Sequence, residues 1–268
     1  MKKSLIAAAV AGTLSSFSTF TLADEAAPAS PHTFTGNVSL TTEYLYRGIA
    51  QTRGKPALQG GFDYAHSSGL YAGVWGSNIS WLNDAGASAS LEIDVYGGYK
   101  GTAGPLGYDV GVLTYNYPGT NKPSGAAKPD TTEVYGALSY QWLTVKYSVT
   151  TGSLFGWTKA SDGSKTKGSG YLEANAAYDL GGGWGINGHV GHQNVKDRGN
   201  ASYTDYKVGV TKDLGIGVLG LAYSATNAKD DCSATATGQD YCFPLLSNPT
   251  DLYSAGKSRA VLSFSKTF

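Results

Sequence analysis

The sequence has 268 residues with 20 basic and 20 acidic side chains, so its formal net charge is zero at neutral pH. Because nucleic-acid binding depends on clustered lysine and arginine, this balance argues against a nucleic-acid partner. The abundance of glycine (37) and tyrosine (19) favours strands and turns over helices.

The first 23 residues are typical of a cleavable secretory signal. Lys2 and Lys3 give a positive start, an apolar stretch follows, and Thr21 and Ala23 place small residues near a cleavage site. A membrane anchor is the alternative, but the stretch is short and rich in serine and threonine. We therefore predict a signal peptide over 1–23, export across the inner membrane, and a periplasmic tail over 24–33.

From residue 34 onward, apolar and polar residues alternate in segments of about ten, the length of a tilted membrane-spanning strand. In the first segment, 34–47, the residues Val38, Tyr44 and Tyr46 share the apolar face, and Arg47 falls on the polar face. The other segments lie at about 58–64, 70–81, 91–100, 107–117, 133–142, 143–150, 171–179, 184–193, 203–213, 218–225 and 258–268.

The connections between these segments alternate in length. The short links lie near 67–69, 101–106, 142–143, 181–183 and 213–217. The long polar links lie near 48–56, 82–88, 118–131, 151–169, 194–202 and 226–257. Tight periplasmic turns and longer external loops produce this alternation in outer-membrane barrels. We predict an all-β fold over 34–268: a transmembrane, antiparallel, up-and-down β-barrel of about twelve strands.

The chain end supports this fold. Ala260, Leu262, Phe264 and Phe268 lie on one face of the last segment, although Lys266 interrupts it. In known outer-membrane barrels an aromatic carboxy-terminus of this kind is read by the barrel-insertion machinery. The resemblance implies that machinery and outer-membrane lipid as partners; an ordinary edge strand ending in phenylalanine is the alternative.

The only two cysteines, Cys232 and Cys242, lie in one polar segment. In an exported chain such a pair is expected to form a disulfide that closes a short loop. A metal pair is the alternative, but no nearby histidine supplies further ligands.

The polar faces carry nine carboxylates and five bases. They are Glu43, Asp63, Glu92, Asp94, Asp109, Glu133, Glu173, Asp179, Asp205, Arg47, Lys100, Lys146, Lys207 and Arg259. We predict that six of them line a pore: Arg47, Glu92, Asp94, Lys146, Glu173 and Lys207. The acid excess predicts a mild cation preference. Alternatively, these charges pair across the lumen and fill it, because about twelve strands falls between filled and open barrels.

The sequence predicts no catalytic residue, cofactor or metal. Gly215 to Gly220 spells G-x-G-x-x-G, but a strand follows it where a dinucleotide site requires a helix. A lipid hydrolase would need serine and histidine together on the lipid face. His189 and His192 fall on opposite faces of one segment, so they cannot act as a pair.

Several segments resemble the TorF-type putative porins, a proteobacterial outer-membrane family. They are Tyr44 to Thr52, Gly69 to Asn78, Glu92 to Tyr99, Tyr115 to Pro118, Glu133 to Tyr135, Asp205 to Val210 and Ala222 to Ser224. The resemblance implies a Gram-negative outer-membrane barrel, but no particular substrate. We therefore predict a porin-like channel for passive diffusion of small polar solutes or ions. The alternatives are a non-conducting barrel that presents its loops for adhesion or partner binding, and an outer-membrane lipid hydrolase.

Overall fold

The computed structural model describes residues 30–85, 87–120, 128–233, 238–244, 248 and 250–268. The predicted signal peptide and tail residues 24–29 lie outside this part. Twelve antiparallel strands close into one barrel, which confirms the predicted fold and strand count. They are β1 His32–Thr41, β4 Ala57–His66, β5 Leu70–Asn78, β6 Leu91–Ala103, β7 Leu106–Asn116, β8 Thr131–Tyr140, β9 Leu143–Thr150, β10 Gly170–Gly181, β11 Trp184–Asn194, β12 Tyr203–Asp213, β13 Val218–Thr226 and β16 Arg259–Thr267.

The smaller elements lie in the connections. They are the hairpin strands β2 Leu45–Tyr46 and β3 Ile49–Ala50, the helix α1 Trp81–Asp84, a 3-10 turn at Gly199–Ala201, and the hairpin strands β14 Cys242–Pro244 and β15 Leu252–Ser254. No helix in the described part of the chain is long and apolar enough to cross a membrane.

The barrel closes between the first and last strands. Strand β1 pairs with β4 on one side and with β16 on the other. Every other pair of neighbouring barrel strands is consecutive along the chain, counting barrel strands only. The terminal Phe268 extends this seam, because its backbone N–H donates to Gly36 (2.8 Å) and its carbonyl oxygen accepts from Gly36 N–H (3.2 Å). The last residue is therefore part of the closure.

The two ends of the barrel differ as predicted. The links at one end have two to four residues, whereas those at the other span 42–56, 79–90, 117–130, 151–169, 195–202 and 227–258. Within the long-loop end, side chains from separate loops pack together, among them Leu154, Val195, Ala201 and Tyr241. Cys232 and Cys242 form the predicted disulfide in the last loop.

The strand faces are inverted relative to a soluble protein. Outward residues such as Phe62 (72% exposed) and Val208 (64%) are apolar, whereas inward residues such as Glu92 and Asp205 are each 2% exposed. This alternation is what a barrel with a lipid-facing exterior and a polar interior requires.

One part of the strand prediction is wrong. The first strand ends at Thr41, so Tyr44 and Tyr46 do not lie on the outer face. Instead, the next residues turn into the barrel, where Tyr44 is 4% exposed. The strand also begins at His32, two residues before the predicted boundary at 34. The error arises because Tyr44 and Tyr46 continue the period-two alternation beyond the real strand end.

Candidate functional site in the barrel lumen

The connection between β1 and β4, residues Thr42–Pro56, folds into the lumen; we refer to it as the inward loop. Its central contact is Arg47, which donates from Nη1 and Nη2 to both carboxylate oxygens of Glu133 on β8 (3.0 and 2.7 Å). Arg47 Nη1 also donates to Gln193 Oε1 on β11 (2.7 Å). The guanidinium carbon lies 4.0 Å from the ring centroid of Tyr171 on β10. A bidentate ion pair of this kind holds the guanidinium group in position as well as pairing its charge.

Two tyrosines attach the same loop to other strands. Tyr44 donates to Glu92 Oε1 on β6 (2.7 Å), and the hydroxyls of Tyr46 and Tyr115 on β7 are 2.6 Å apart. Burial raises the pKa of Tyr44 well above its ordinary value, and the neighbouring Glu92 raises it further, so Tyr44 remains a neutral donor.

The charge of Arg47 is also fixed. Burial alone would lower its pKa, but the adjacent Glu133 carboxylate raises it, and the net pKa lies above the ordinary arginine value. Arg47 therefore keeps its charge at every physiological pH.

Gly48 allows the loop to approach the opposite wall. Its φ is +76°, and a Cβ there would lie 2.5 Å from Thr226 Cγ2 and 2.9 Å from Asp205 Cβ. Only glycine fits this backbone conformation and this contact without strain. The loop contacts Glu133 on one side of the barrel and Thr226 and Asp205 on the other, so it crosses the lumen.

The outer hairpin β14–β15 covers the inward loop. Glu43 Oε1 accepts from Tyr253 Oη (2.9 Å) and from the backbone N–H of Gly54 (2.7 Å). Glu43 Oε2 lies 3.3 Å from Nε of Arg259. The loop is therefore held from above as well as from the side.

The inner surface of the barrel has two unlike halves. The wall formed by β5 to β8 carries large side chains that fill the space beside it, including Tyr71, Trp75, Tyr96, Tyr115 and Tyr135. On the wall formed by β13, β16, β1 and β4, the residues that border the lumen cavity are small or uncharged: Ala222, Ser224, Val261, Ser263, Thr41 and Gln59. A cavity of about 60 Å³, which opens to solvent, lies between this second wall and the inward loop.

Five of the six predicted pore residues face inward on their strands, as the sequence parity predicted, whereas Arg47 reaches the lumen from the inward loop. Only two of the six border this cavity. Arg47 and Lys207 line it. Glu92 and Asp94 are each 2% exposed, on the β5–β8 side.

The remaining two predicted residues pack against neighbours. Lys146 Nζ lies 4.3 Å from the ring centroid of Tyr135. Glu173 accepts from Asn175 Nδ2 (2.8 Å). The geometry therefore does not support Lys146 and Glu173 as residues of the cavity wall.

Sequence reasoning did not place His189 among the pore-lining residues, although it borders the cavity. Its Nε2 lies 2.8 Å from Asp205 Oδ1, and its Nδ1 lies 2.7 Å from Asn175 Oδ1. Tyr171 donates to the other Asp205 oxygen (2.8 Å). The spacing predicted only that His189 and His192 lie on opposite faces; the partners of His189 on β10 and β12 required the strand register.

His192 lies on the outer face of the same strand, with Nδ1 2.9 Å from Thr204 Oγ1. The two histidines therefore lie on opposite sides of the wall, as their spacing predicted. Within the described ranges, no group of three or more His, Cys, Asp or Glu side chains is arranged to hold a metal ion.

A closed twelve-stranded antiparallel barrel with a polar, loop-crossed lumen defines a protein of the porin fold class. A family model described as "Bacterial protein of unknown function (Gcw_chp)" matches residues 25–249, and the chain belongs to this family. No curated protein matches the sequence.

Solved porins share the architecture. The KdgM porin is similar at 8% identity with a TM-score of 0.50, over 87% of this chain and 99% of that one. The NanC porin has 9% identity and a TM-score of 0.47, over 88% and 98% of the two chains. At such identities the likeness concerns the fold alone.

Proposed function

We propose that this protein is a porin-like channel of a Gram-negative outer membrane, through which small polar solutes or ions diffuse passively. The observation that carries the proposal is the solvent-connected cavity of about 60 Å³ along the wall of small side chains. In a barrel filled by its own side chains, this half of the lumen would be occupied as the β5–β8 half is. The inward loop narrows the passage without filling it.

The outer surface supports the membrane location. Exposed apolar side chains surround the barrel, and Trp142 and Trp184 lie beside the short turns, where an interfacial aromatic girdle is expected. A cleaved signal over 1–23, lipid as surrounding solvent, and recognition of Phe268 by the insertion machinery complete this proposal. The resemblance to TorF-type porins is in keeping with it.

Conductance tests the proposal directly. Purified, refolded protein in a planar lipid bilayer should give discrete channels, and Ser263→Trp on the cavity wall should lower their conductance. The matched control is Leu262→Trp, because the adjacent residue carries the same substitution on the lipid-facing side. Folded protein without channels, or equal effects of both substitutions, would contradict the proposed passage.

One observation favours a second candidate, a non-conducting barrel that presents its loops to a partner. The long loops pack over one end, and Arg198 donates from Nε and Nη2 to both carboxylate oxygens of Asp240 (2.9 and 2.8 Å) across two of them. Absence of conductance in correctly folded protein favours this candidate. We propose no catalytic role: His189 is engaged in the lumen, and His192 contacts a threonine.

Ion preference is a separate prediction. The acid excess along the inward faces predicts mild cation selectivity, and this stays a prediction. Of those acids, Glu92 and Asp94 are sealed on the filled side. Glu43 and Asp205 border the cavity together with Arg47 and Lys207. The reversal potential across a salt gradient measures whether the acidic or the basic side chains determine the ion selectivity.

A further inference from the structure

The cavity is bordered by polar groups that have no partner among the described residues. Lys207 on β12 makes no hydrogen bond or ion pair there, and the hydroxyls of Ser224 on β13 and Ser263 on β16 make no hydrogen bond. Gln59 on β4 is 3% exposed, and its Oε1 is buried without a donor. Buried polar groups are normally paired, so an orphaned acceptor at a cavity requires an explanation.

The other charged side chains around the cavity are already engaged. Arg47 is bound to Glu133, and Asp205 accepts from Tyr171 and lies against His189. Glu43 accepts from two donors and faces Arg259. Lys207 is therefore the cavity's uncommitted charge within the described structure.

The surroundings of Lys207 define which kind of ligand it can bind. The carboxylates of Glu173 and Asp205 interact with Lys207 through space, and neither forms a hydrogen bond or ion pair with its ammonium group. A ligand here must supply an acceptor for Lys207 and a donor for the Gln59 carbonyl oxygen. The serine hydroxyls between them donate or accept.

We propose that this cavity is a solute-binding site for a small anion that also carries hydroxyl groups, with Lys207 binding the anionic group and Gln59 accepting from a hydroxyl. The inference deepens the proposed function and rests on it for the route by which the solute arrives.

The test separates binding from conduction. Saturation-transfer NMR on folded protein in detergent micelles is run with three probes: gluconate (anion with hydroxyls), acetate (anion alone) and sorbitol (hydroxyls alone). Gluconate should bind at least about tenfold more tightly than either other probe, because only it engages both groups.

Two variants and one control locate the site. Lys207→Met should weaken gluconate binding about tenfold, and Gln59→Leu about fivefold, as loss of a charge-assisted and a neutral hydrogen bond predicts. Lys146→Met is the control, since that lysine packs on Tyr135 away from the cavity, and its binding should match wild type. Heat-dependent gel mobility confirms that each variant is folded.

The outcomes are distinct from those of the conductance test. Equal affinities for the three probes, or equal losses in Lys207→Met and Lys146→Met, overturn the site even if the protein conducts. Gluconate binding that depends on Lys207 supports the site even if no channels are seen, in which case only the proposed channel fails.

Discussion

At the residue scale, the Arg47–Glu133 pair determines how firmly the inward loop is held. Both side chains are sealed from solvent, with side-chain exposures of 5% and 2%. Arg47→Leu should lower the free energy of unfolding by about 3–5 kcal/mol, because it leaves a buried carboxylate without its partner. Urea titration of the protein in detergent micelles, followed by tyrosine and tryptophan fluorescence, measures this change.

The same loop supplies a matched control for that substitution. Arg53 forms an ion pair with Asp251 (3.3 Å) in which the Asp251 side chain is 55% exposed. Arg53→Leu should therefore cost no more than about 1 kcal/mol. Comparable losses in the two variants would show that the buried pair is not the anchor. The double variant Arg47→Leu with Glu133→Leu should recover much of the loss, since no charge is left unpaired.

Single residues also show what local sequence can predict. Strict alternation placed Glu92, Asp94 and Lys207 on the inner face, because a strand's side-chain period depends on the strand alone. Alternation carries no information about partners far along the chain. Arg47 and Glu133 are 86 residues apart, and the sequence offers no local sign that they meet.

At the element scale, the inward loop is the part of the molecule that the sequence predicted least well. Tyr44 and Tyr46 repeat the period-two pattern of β1, so the first segment was predicted to run to residue 47. That segment would have had fourteen residues, more than the ten found in β1, and this excess length was the available signal. The twelve barrel strands were predictable because each has its own alternation and its own flanking turn.

Removal of the inward loop should widen the passage. Thr41 and Ala57 are the last paired residues of β1 and β4, so an Asn-Gly turn can join them directly in place of 42–56. We expect the shortened barrel to fold and to show about two to three times the wild-type conductance, because the remaining lumen is set by strand number. Single-channel recording in planar bilayers provides the measurement.

A second loop at the same end serves as the control for this deletion. Gln193 and Tyr203 are the last paired residues of β11 and β12, and the same turn can replace 194–202 between them. Those residues do not border the cavity, so conductance should stay within about a third of wild type. A larger increase in this control than in the first deletion would locate the constriction in the outer loops.

At the scale of the whole molecule, the inverted pattern of faces predicts that folding depends on lipid. Leu221 on β13 is 51% exposed and pairs with Val210 and Leu262, so it lies within the outer apolar surface. Leu221→Arg should destabilise the folded barrel by about 2–4 kcal/mol if this surface faces hydrocarbon near the bilayer midplane. The folded fraction in phospholipid vesicles, read from the mobility of unheated protein on a denaturing gel, measures the effect.

The inward face provides the contrast that makes this prediction specific to a membrane. Ser265→Arg places the same side chain on the inner face of β16, away from lipid, and should cost far less than Leu221→Arg. Leu221→Phe should fold as wild type, because an aromatic side chain remains compatible with lipid. If Leu221→Arg folds as readily as Leu221→Phe, the apolar exterior does not face hydrocarbon, and both the membrane location and the channel lose their physical basis.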